Sequence, residues 1–182
     1  MPEIRSTTIL AVSHRGATVF AGDGQVTVQN AIMKHGAKKI RPLRDGAVLA
    51  GFAGSAADSI TLFERFEAKL NEHGGQLARA AVELAKEWRT DRYLRRLEAM
   101  MIVGDSTALY LVSGGGEVLQ PDDGILAIGS GGNFALAAAR GLIRGAGDSV
   151  DARAVASTAM SIAAELCPFT NDNIYIEEVR GE

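Results

Sequence analysis

The sequence predicts an α+β domain of four layers, in which two mostly antiparallel sheets lie between two pairs of helices (αββα). The chain of 182 residues is long enough for one domain with a substantial core and too short for two comfortable ones. Its strand and helix patterns follow one another as strands, two helices, strands, two helices and a last strand. Groups of strands separated by pairs of helices lack the regular alternation that a doubly wound parallel sheet requires.

The first third of the chain is predicted to be a β meander. Its strands are expected at residues 8–13, 17–21, 39–43 and 47–52, where apolar and β-branched side chains are concentrated. Residues 14–16 form the turn of the first hairpin, and the Gly-Asp-Gly sequence at 22–24 ends its second strand. An Asp-Gly step at 45–46 is typical of the turn that joins the second pair of strands.

Two amphipathic helices are predicted next, because apolar residues recur there at intervals of three and four. In the first helix these residues are Ile60, Phe63, Phe66 and Leu70. In the second helix they are Leu77, Ala81, Leu84 and Trp88. The sequence His-Gly-Gly at 73–75 ends the first helix, and the second is expected to run on towards Arg96.

The second half of the chain repeats the order of strands followed by helices. Strands are predicted at residues 99–103, 108–112, 117–119, 125–128 and 174–179. Two alanine-rich helices, 134–143 and 152–166, are predicted before the last strand. Their small side chains suit close contact between layers.

Composition and charge exclude several classes of function. The formal net charge is −3, and the basic stretches at 34–44 and 89–96 carry no series of aromatic side chains for stacking on bases, so no nucleic-acid partner is predicted. The single cysteine, Cys167, permits no disulfide framework and favours a reducing compartment. No segment resembles a secretory signal or reaches the ~20 apolar residues of a membrane helix. We therefore expect a cytoplasmic protein without a membrane partner.

The motifs of nucleotide, zinc and serine chemistry are missing from the sequence. No glycine precedes a lysine, so the chain has no Gly-Lys phosphate loop and is expected to need neither ATP nor an organic cofactor of its own. The histidines lack the spacing of metal ligands, and no Gly-x-Ser-x-Gly elbow occurs. What remains is a threonine, Thr7, at the start of the first strand.

Several long motifs carry a resemblance to a known family. They are TTILAV from Thr7, AGDGQVT from Ala21, MKHGAKKIRPL from Met33, VLAGFAGSAAD from Val48, EVLQPDDGILAIGSGGN from Glu117 and CPFTND from Cys167. With these motifs the chain strongly resembles the HslV (ClpQ) family, the bacterial relatives of proteasome β subunits. The resemblance extends in order from Thr7 to the last residues, with few changes in length.

The resemblance implies an N-terminal nucleophile hydrolase, whose proteasome-like αββα architecture agrees with the predicted order of elements. It also implies a short propeptide at 1–6 and a single protease domain at 7–182. Removal of the propeptide, which we expect to be autocatalytic, makes Thr7 the N-terminal residue. Its α-amine, with a pKa of about 7.7–8.0, can then take the proton of its own hydroxyl and activate Oγ1 for attack on a peptide carbonyl.

Four further residues match catalytic positions of the family. Asp23 and Lys39 match the acidic and basic residues beside the nucleophile, where the lysine is expected to lower the pKa of the α-amine. Gly51 matches the residue whose backbone N–H stabilises the oxyanion, and Ser130 matches a serine that hydrogen-bonds near the amine. Each also has an ordinary interpretation: Thr7 as a strand-starting residue, Asp23 as a turn residue, Lys39 as a surface lysine, Gly51 as a bulge and Ser130 as a helix N-cap.

The resemblance further implies a metal ion and protein partners. Ala164, Cys167 and Thr170 match positions whose backbone carbonyls bind a structural sodium ion, although Cys167 also fits a small buried core residue. The subunits are expected to form a double ring of hexamers. An AAA+ unfoldase, HslU, is expected to dock on its ends, to use the ATP and to deliver unfolded protein substrates.

The residues before Thr7 depart from the common pattern of the family. Many members carry the threonine directly after the initiator methionine, whereas Met1 is followed here by Pro2. Ser6 occupies a position that is often glycine in proteasome-like precursors, and cleavage before Ser6 would present a serine hydroxyl instead. We favour Thr7 because its spacing to the two charged residues matches the family.

Two other functions stay open at this point. An acylase of the same architecture would hydrolyse a small amide, and a non-catalytic ring subunit would keep the scaffold without the activity. The joint presence of Thr7, Asp23, Lys39 and Ser130 argues against the non-catalytic subunit. Between the two hydrolases, only the family resemblance favours the protease.

Overall fold

The structure, a computed structural model, describes residues 4–5, 7–97 and 99–179. Ser6, the alternative first residue of a trimmed chain, lies outside the described residues, as does most of the predicted propeptide. No helix within the described ranges is long and apolar enough to cross a membrane.

Strands and helices follow one another in the predicted blocks. The strands are β1 (Ile4–Arg5), β2 (Thr8–His14), β3 (Ala17–Asp23), β4 (Val26–Val28), β5 (Ala31–Lys34), β6 (Ile40–Leu43), β7 (Val48–Ala53), β8 (Met100–Gly104), β9 (Leu109–Ser113), β10 (Val118–Leu119), β11 (Ile125–Gly129) and β12 (Ile174–Glu178). The helices are α1 (Ala56–Glu72), α2 (Leu77–Thr90), α3 (Gly132–Ala146) and α4 (Ala152–Leu166). Short 3-10 turns lie at Arg44–Gly46, Leu94–Arg96 and Gly147–Ser149.

Two antiparallel sheets form the inner layers of the domain. One has the strand order β10-β9-β8-β7-β6, and the other has the order β11-β2-β3-β12. Large apolar side chains from both sheets fill the space between them; among them are Ile9, Phe20, Leu49 and Ile102. All four are fully buried, so the contact between the sheets is a continuous part of the core.

Each of these sheets carries one pair of helices on its outer face. α1 and α2 bury large side chains against the five-stranded sheet, including Leu62, Phe66, Leu84 and Trp88. α3 and α4 pack on the four-stranded sheet mainly through alanines, including Ala135, Ala139, Ala156, Ala159 and Ala163. The predicted αββα arrangement is therefore confirmed.

The β meander is longer than the sequence predicts. β3 does not end at Gly22 but continues to Asp23, because it pairs with β2 on one side and with β12 on the other. A hairpin of β4 and β5 follows, and together with β1 it forms a small third sheet that was not predicted. The side chains of β5 are all exposed, so no alternation of apolar and polar residues marks this strand in the sequence.

The helix predictions are confirmed in position but differ in three details. α3 was predicted at 134–143 and spans Gly132–Ala146. α2 ends at Thr90 rather than continuing towards Arg96, because the Asp91 carboxylate accepts the N–H groups of Tyr93 and Leu94 and stabilises a turn. Ile60 is 45% exposed and does not belong to the buried face of α1.

The register of the strands determines what surrounds the start of β2. Ile9 lies opposite Gly22 of β3, and Thr8 lies opposite Gly129 of β11. The first residues of β2 therefore have the last residues of both neighbouring strands beside them. Side chains and backbone groups from three segments distant in the sequence meet at this point.

Candidate active site

Thr7 lies directly before β2, on the wall of a cleft of about 200 Å³. The residue is 5% exposed, so it is enclosed by the surrounding chain while still contributing to the cleft. Other residues on the wall include Lys39, Phe52, Gly54, Ser59 and Ile60. The partly exposed side chain of Ile60 is thus explained by the cleft rather than by the core.

Asp23 and Lys39 form a buried ion pair next to Thr7. Lys39 Nζ lies 2.8 Å from Asp23 Oδ1, and the two side chains are 8% and 0% exposed. The lysine also donates to the carbonyl of Gln25 at 2.6 Å. Burial lowers the pKa of Lys39, and the charge of Asp23 opposes that change. Lys39 is therefore not an ordinary surface lysine.

The Asp23 carboxylate also fixes the backbone around it. Its Oδ1 accepts the N–H of Thr8 at 2.8 Å, in addition to the lysine. Its Oδ2 accepts the N–H of Gln25 at 3.0 Å and that of Asn171 at 3.4 Å. A fully buried carboxylate needs such partners, because an uncompensated charge away from water is very costly. The residue after Thr7 is thereby bound to the same oxygen as Lys39.

Ser130 reaches the site through its backbone. Its N–H donates to the carbonyl of Thr7 at 2.9 Å, while its side chain is exposed. The N-cap of α3 is Gly131, and it makes no side-chain capping bond, so the interpretation of Ser130 as the N-cap is wrong.

Gly51 lies behind the wall of the cleft, in the interior of β7. It pairs with Ile40 of β6 and Ile102 of β8 without a shift in register, so the interpretation as a bulge is wrong. A Cβ atom at this position would lie 2.7 Å from Ile9 Cγ2 of the facing sheet. Close contact between the sheets therefore requires a glycine here, whatever its N–H does.

Comparison with known proteins places this arrangement in a family. The proteasome subunit family matches residues 4–179 of the chain. The ATP-dependent protease subunit HslV of Geobacillus sp. (strain WCH70) is 62% identical over 180 residues, which cover 98% of this chain and 100% of that protein. The chain belongs to the HslV (ClpQ) family of protease subunits. The ATP-dependent protease subunit ClpQ of Bacillus subtilis (strain 168) is 59% identical over 98% of this chain and 99% of its own length.

The fold agrees with that of a solved HslV. The crystal structure of eukaryotic HslV from Trypanosoma brucei superposes with a TM-score of 0.90 at 48% identity, over 96% of this chain and 99% of that one. The resemblance identified from the motifs and the proteasome-type fold are both confirmed.

The three positions matched to a sodium site of HslV lie at the end of α4. Ala164 is in its last turn, Cys167 is the C-cap, and the N–H of Thr170 donates to the Cys167 carbonyl at 3.1 Å. Pro168 has no N–H, so it offers no donor to the Ala164 carbonyl four residues earlier. The carbonyl end of a helix also favours a cation. The burial of Cys167, 4% exposed, fits a core residue as well, and the sodium site stays a prediction.

Two polar residues of this HslV site, the buried Gln25 and the half-buried Asn171, were not identified from the sequence. The Gln25 amide donates to Thr27 Oγ1 at 2.9 Å and to the carbonyl of Pro168 at 3.0 Å. The Asn171 side chain accepts the N–H of Gly24 at 3.1 Å and donates to the carbonyl of His35 at 3.0 Å. These residues occur in the motifs AGDGQVT and CPFTND, which was the available signal. They connect the turn after α4 with the segment that follows Asp23 and with the segment that precedes Lys39.

Proposed function

We propose that the chain is the threonine-type endopeptidase subunit of an ATP-dependent cytoplasmic protease, with Thr7 as its N-terminal nucleophile after removal of residues 1–6. The observation that carries this proposal is the position of Thr7. Thr7 lies on the wall of the cleft together with Lys39. The N–H of the next residue, Thr8, and the ammonium of Lys39 both donate to Asp23 Oδ1. Membership of the HslV family supports the same assignment.

The free α-amine of Thr7 serves as the general base. It takes the proton of Oγ1, directly or through a water, while Oγ1 forms a bond to the carbonyl carbon of the substrate. The resulting tetrahedral intermediate collapses when the amine returns the proton to the departing peptide nitrogen. Water then attacks the ester by the same route and releases Thr7. As long as residue 6 is attached, the nitrogen is an amide and cannot act as a base.

The buried pair adjusts the protonation of that amine. An ammonium at Lys39 disfavours a second positive charge nearby, so it lowers the pKa of the Thr7 amine and increases the neutral fraction. Asp23 holds the lysine in place at 2.8 Å. The family resemblance predicts that the N–H of Gly51 stabilises the oxyanion, a contribution of about 3 kcal/mol in comparable enzymes, although Gly51 pairs with β6 and β8 inside β7 and is not one of the residues that line the cleft. Ser130 orients Thr7 through the bond to its carbonyl.

Family membership supports the proposed partner and assembly. The relatives are named as subunits of an ATP-dependent protease, and the present sequence has no Gly-Lys phosphate loop. We therefore assign the ATP-dependent step to an AAA+ unfoldase of the HslU type, which docks on a double ring of hexamers and delivers unfolded proteins. Peptide hydrolysis should rise strongly when this ATPase and ATP are added. Equal rates with and without the ATPase would contradict the partnership.

A sodium ion held by the carbonyls of Ala164, Cys167 and Thr170 completes the proposed subunit. Such an ion would be coordinated by backbone oxygens at the end of α4 and would stabilise the turn that follows. Its role is structural, and no chemical step depends on it.

Replacement of the nucleophile tests the proposed function. A Thr7→Ala chain should form rings of normal size, retain residues 1–6 by intact mass, and lose peptide hydrolysis by about 10⁴-fold or more. A Thr90→Ala chain is the matched control, because Thr90 is an exposed threonine on α2 whose hydroxyl, among the described residues, bonds to carbonyls of its own helix. Activity of the Thr7→Ala chain, or an active particle that begins at Met1, would exclude Thr7. Hydrolysis of small acyl amides by a free monomer would favour the acylase.

A further inference from the structure

Thr8, the residue after Thr7, is bound by its own atoms to three separate parts of the chain. Its N–H donates to Asp23 Oδ1 at 2.8 Å. Its Oγ1 accepts the N–H of Gly131 at 2.8 Å and lies 2.7 Å from Oγ1 of Thr170, so that one hydroxyl donates to the other. Thr8 is fully buried and Thr170 is 4% exposed, so both hydroxyls are hidden from water.

The turn at residues 129–131 closes directly onto this pair of hydroxyls. A Cβ atom at Gly131 would lie 2.5 Å from Thr170 Oγ1 and 2.6 Å from Thr8 Oγ1. The same turn carries Ser130, whose N–H binds the carbonyl of Thr7. The turn is therefore bound to two consecutive residues, Thr7 directly before β2 and Thr8 at the start of β2.

These bonds become more important once the chain is trimmed. Thr7 then has no residue before it, so its position depends on its own carbonyl and on Thr8. Valine has nearly the shape of threonine and would fill the same space. A buried hydroxyl is unfavourable unless it is hydrogen-bonded, so a threonine at these positions is explained by the bonds of its hydroxyl. Because a displacement of about 1 Å can reduce a catalytic rate by roughly 100-fold, bonds that hold Thr7 against Ser130 and Lys39 affect the chemistry directly.

We propose that Thr8 and Thr170 are positioning residues, whose paired hydroxyls hold the turn 129–131 and the start of β2 in the geometry that Thr7 needs. This proposal rests on the proposed function of Thr7. It concerns the side-chain hydroxyl of Thr170, which is distinct from the backbone carbonyl assigned to sodium. Neither residue is among those that line the cleft.

The test removes each hydroxyl while keeping the shape of the side chain. Thr8→Val and Thr170→Val chains are assembled with the ATPase partner, and kcat and KM for a peptide are measured per trimmed subunit, with the trimmed fraction read from intact mass. We expect kcat to fall by about 10-fold or more, with KM within about twofold of the original. The Thr8→Ser and Thr170→Ser chains keep the hydroxyl and should retain kcat within about threefold. The double valine variant should lose little more than the worse single variant, because the hydroxyls act as one unit.

A Thr18→Val chain is the matched control. Thr18 is 1% exposed, lies on the neighbouring strand β3, and bonds to the hydroxyl of Ser13 at 3.3 Å, at the end of the hairpin away from the cleft. This variant should lose thermal stability without a change in kcat. Unchanged kcat in both valine variants of the pair, or an equal loss in Thr18→Val, would overturn the proposal. Activity of the Thr7→Ala chain would contradict the proposed function itself, and that measurement is independent of the Thr8 and Thr170 hydroxyls.

Discussion

The two ends of the β2–β3 hairpin differ in where their polar partners come from. At the closed end, the side chains of Thr18 and Ser13 contact each other within the hairpin, and the turn residues Arg15 and Gly16 are exposed. Backbone groups there also bond to distant residues, the N–H of Ser13 to Gly124 and the carbonyl of Thr18 to Val179. At the open end, Thr8 and Asp23 bind groups of Lys39, Gly131, Thr170 and Asn171, which lie in other parts of the chain. The strands pair by the same antiparallel register throughout.

The difference shows which end depends on the complete fold. The side-chain contact at the closed end joins residues near one another in the sequence, so it can form as soon as the hairpin does. The open end contains a hydrogen bond between residues 162 positions apart, and it forms only when α4 and β11 are in place. The surroundings of Thr7 therefore depend on the complete fold and are sensitive to several distant substitutions.

The largest effect is expected from removal of the carboxylate at the open end. An Asp23→Ala chain leaves Lys39 buried without its partner and the N–H of Thr8 without an acceptor. Loss of one member of a buried pair typically costs about 3–5 kcal/mol, and peptide hydrolysis should disappear with it. Chemical denaturation and a peptide assay measure the two losses. The exposed Asp122 is the control, and Asp122→Ala should stay within about 0.5 kcal/mol of the original chain.

A smaller effect is expected from adding one methyl group at each end. Gly131 has a φ of −92°, so alanine there suffers no backbone strain, but its Cβ would displace the Thr8 and Thr170 hydroxyls. Gly16 has a φ of +78° and no atom within 4 Å of an added Cβ, so alanine there meets only the strain of a left-handed backbone, about 1–2 kcal/mol.

Gly131→Ala should therefore reduce kcat by about 10-fold or more, while Gly16→Ala should reduce stability and leave kcat unchanged. Peptide kinetics and thermal unfolding of both chains make the comparison. A loss of kcat in Gly16→Ala as large as that in Gly131→Ala would show that the two ends are not independent.

The smallest effect concerns the pH dependence of stability at the open end. Burial lowers the pKa of Lys39 below 10.5, so the protonated lysine destabilises the native state at pH values below its native pKa. This destabilisation disappears as the pH rises from the native pKa towards 10.5. The original chain should therefore gain free energy of unfolding relative to a Lys39→Met chain over that window. Denaturation at a series of alkaline pH values measures the difference, and a constant difference would contradict the predicted direction.

Local signals explain how much of the fold was predictable. Helix α4 begins and ends where the sequence predicts, because the Asp151 side chain accepts the N–H of Ala154 at its start and Pro168 follows its end. The hairpin β4–β5 was missed because its strands are short and β5 is wholly exposed. Ile60 was assigned to the core because the helical period alone does not show whether a cleft or a sheet lies beside that face.

For the site, the motifs identified the residues, and the structure showed which of them contact one another. Thr7, Asp23, Lys39 and Ser130 were named from the family resemblance, and they do meet at the start of β2. Their catalytic roles and the sodium site stay predictions. Thr8 was overlooked because nothing adjacent to it in the sequence shows that its hydroxyl has a partner near the other end of the chain.

The sequence by itself determined the layer order, the helix positions, the hairpins β2–β3 and β6–β7 and the family, because periodicity, turn residues and long motifs are properties of neighbouring residues. Only the tertiary structure decided that the Thr8 and Thr170 hydroxyls meet and that one carboxylate oxygen serves both Thr8 and Lys39. It also decided that Gly51 is required by close contact between the sheets. The physical reason is that hydrogen bonds and steric contacts act over a few ångströms in space, and the packing of the four layers decides which distant residues come within that range.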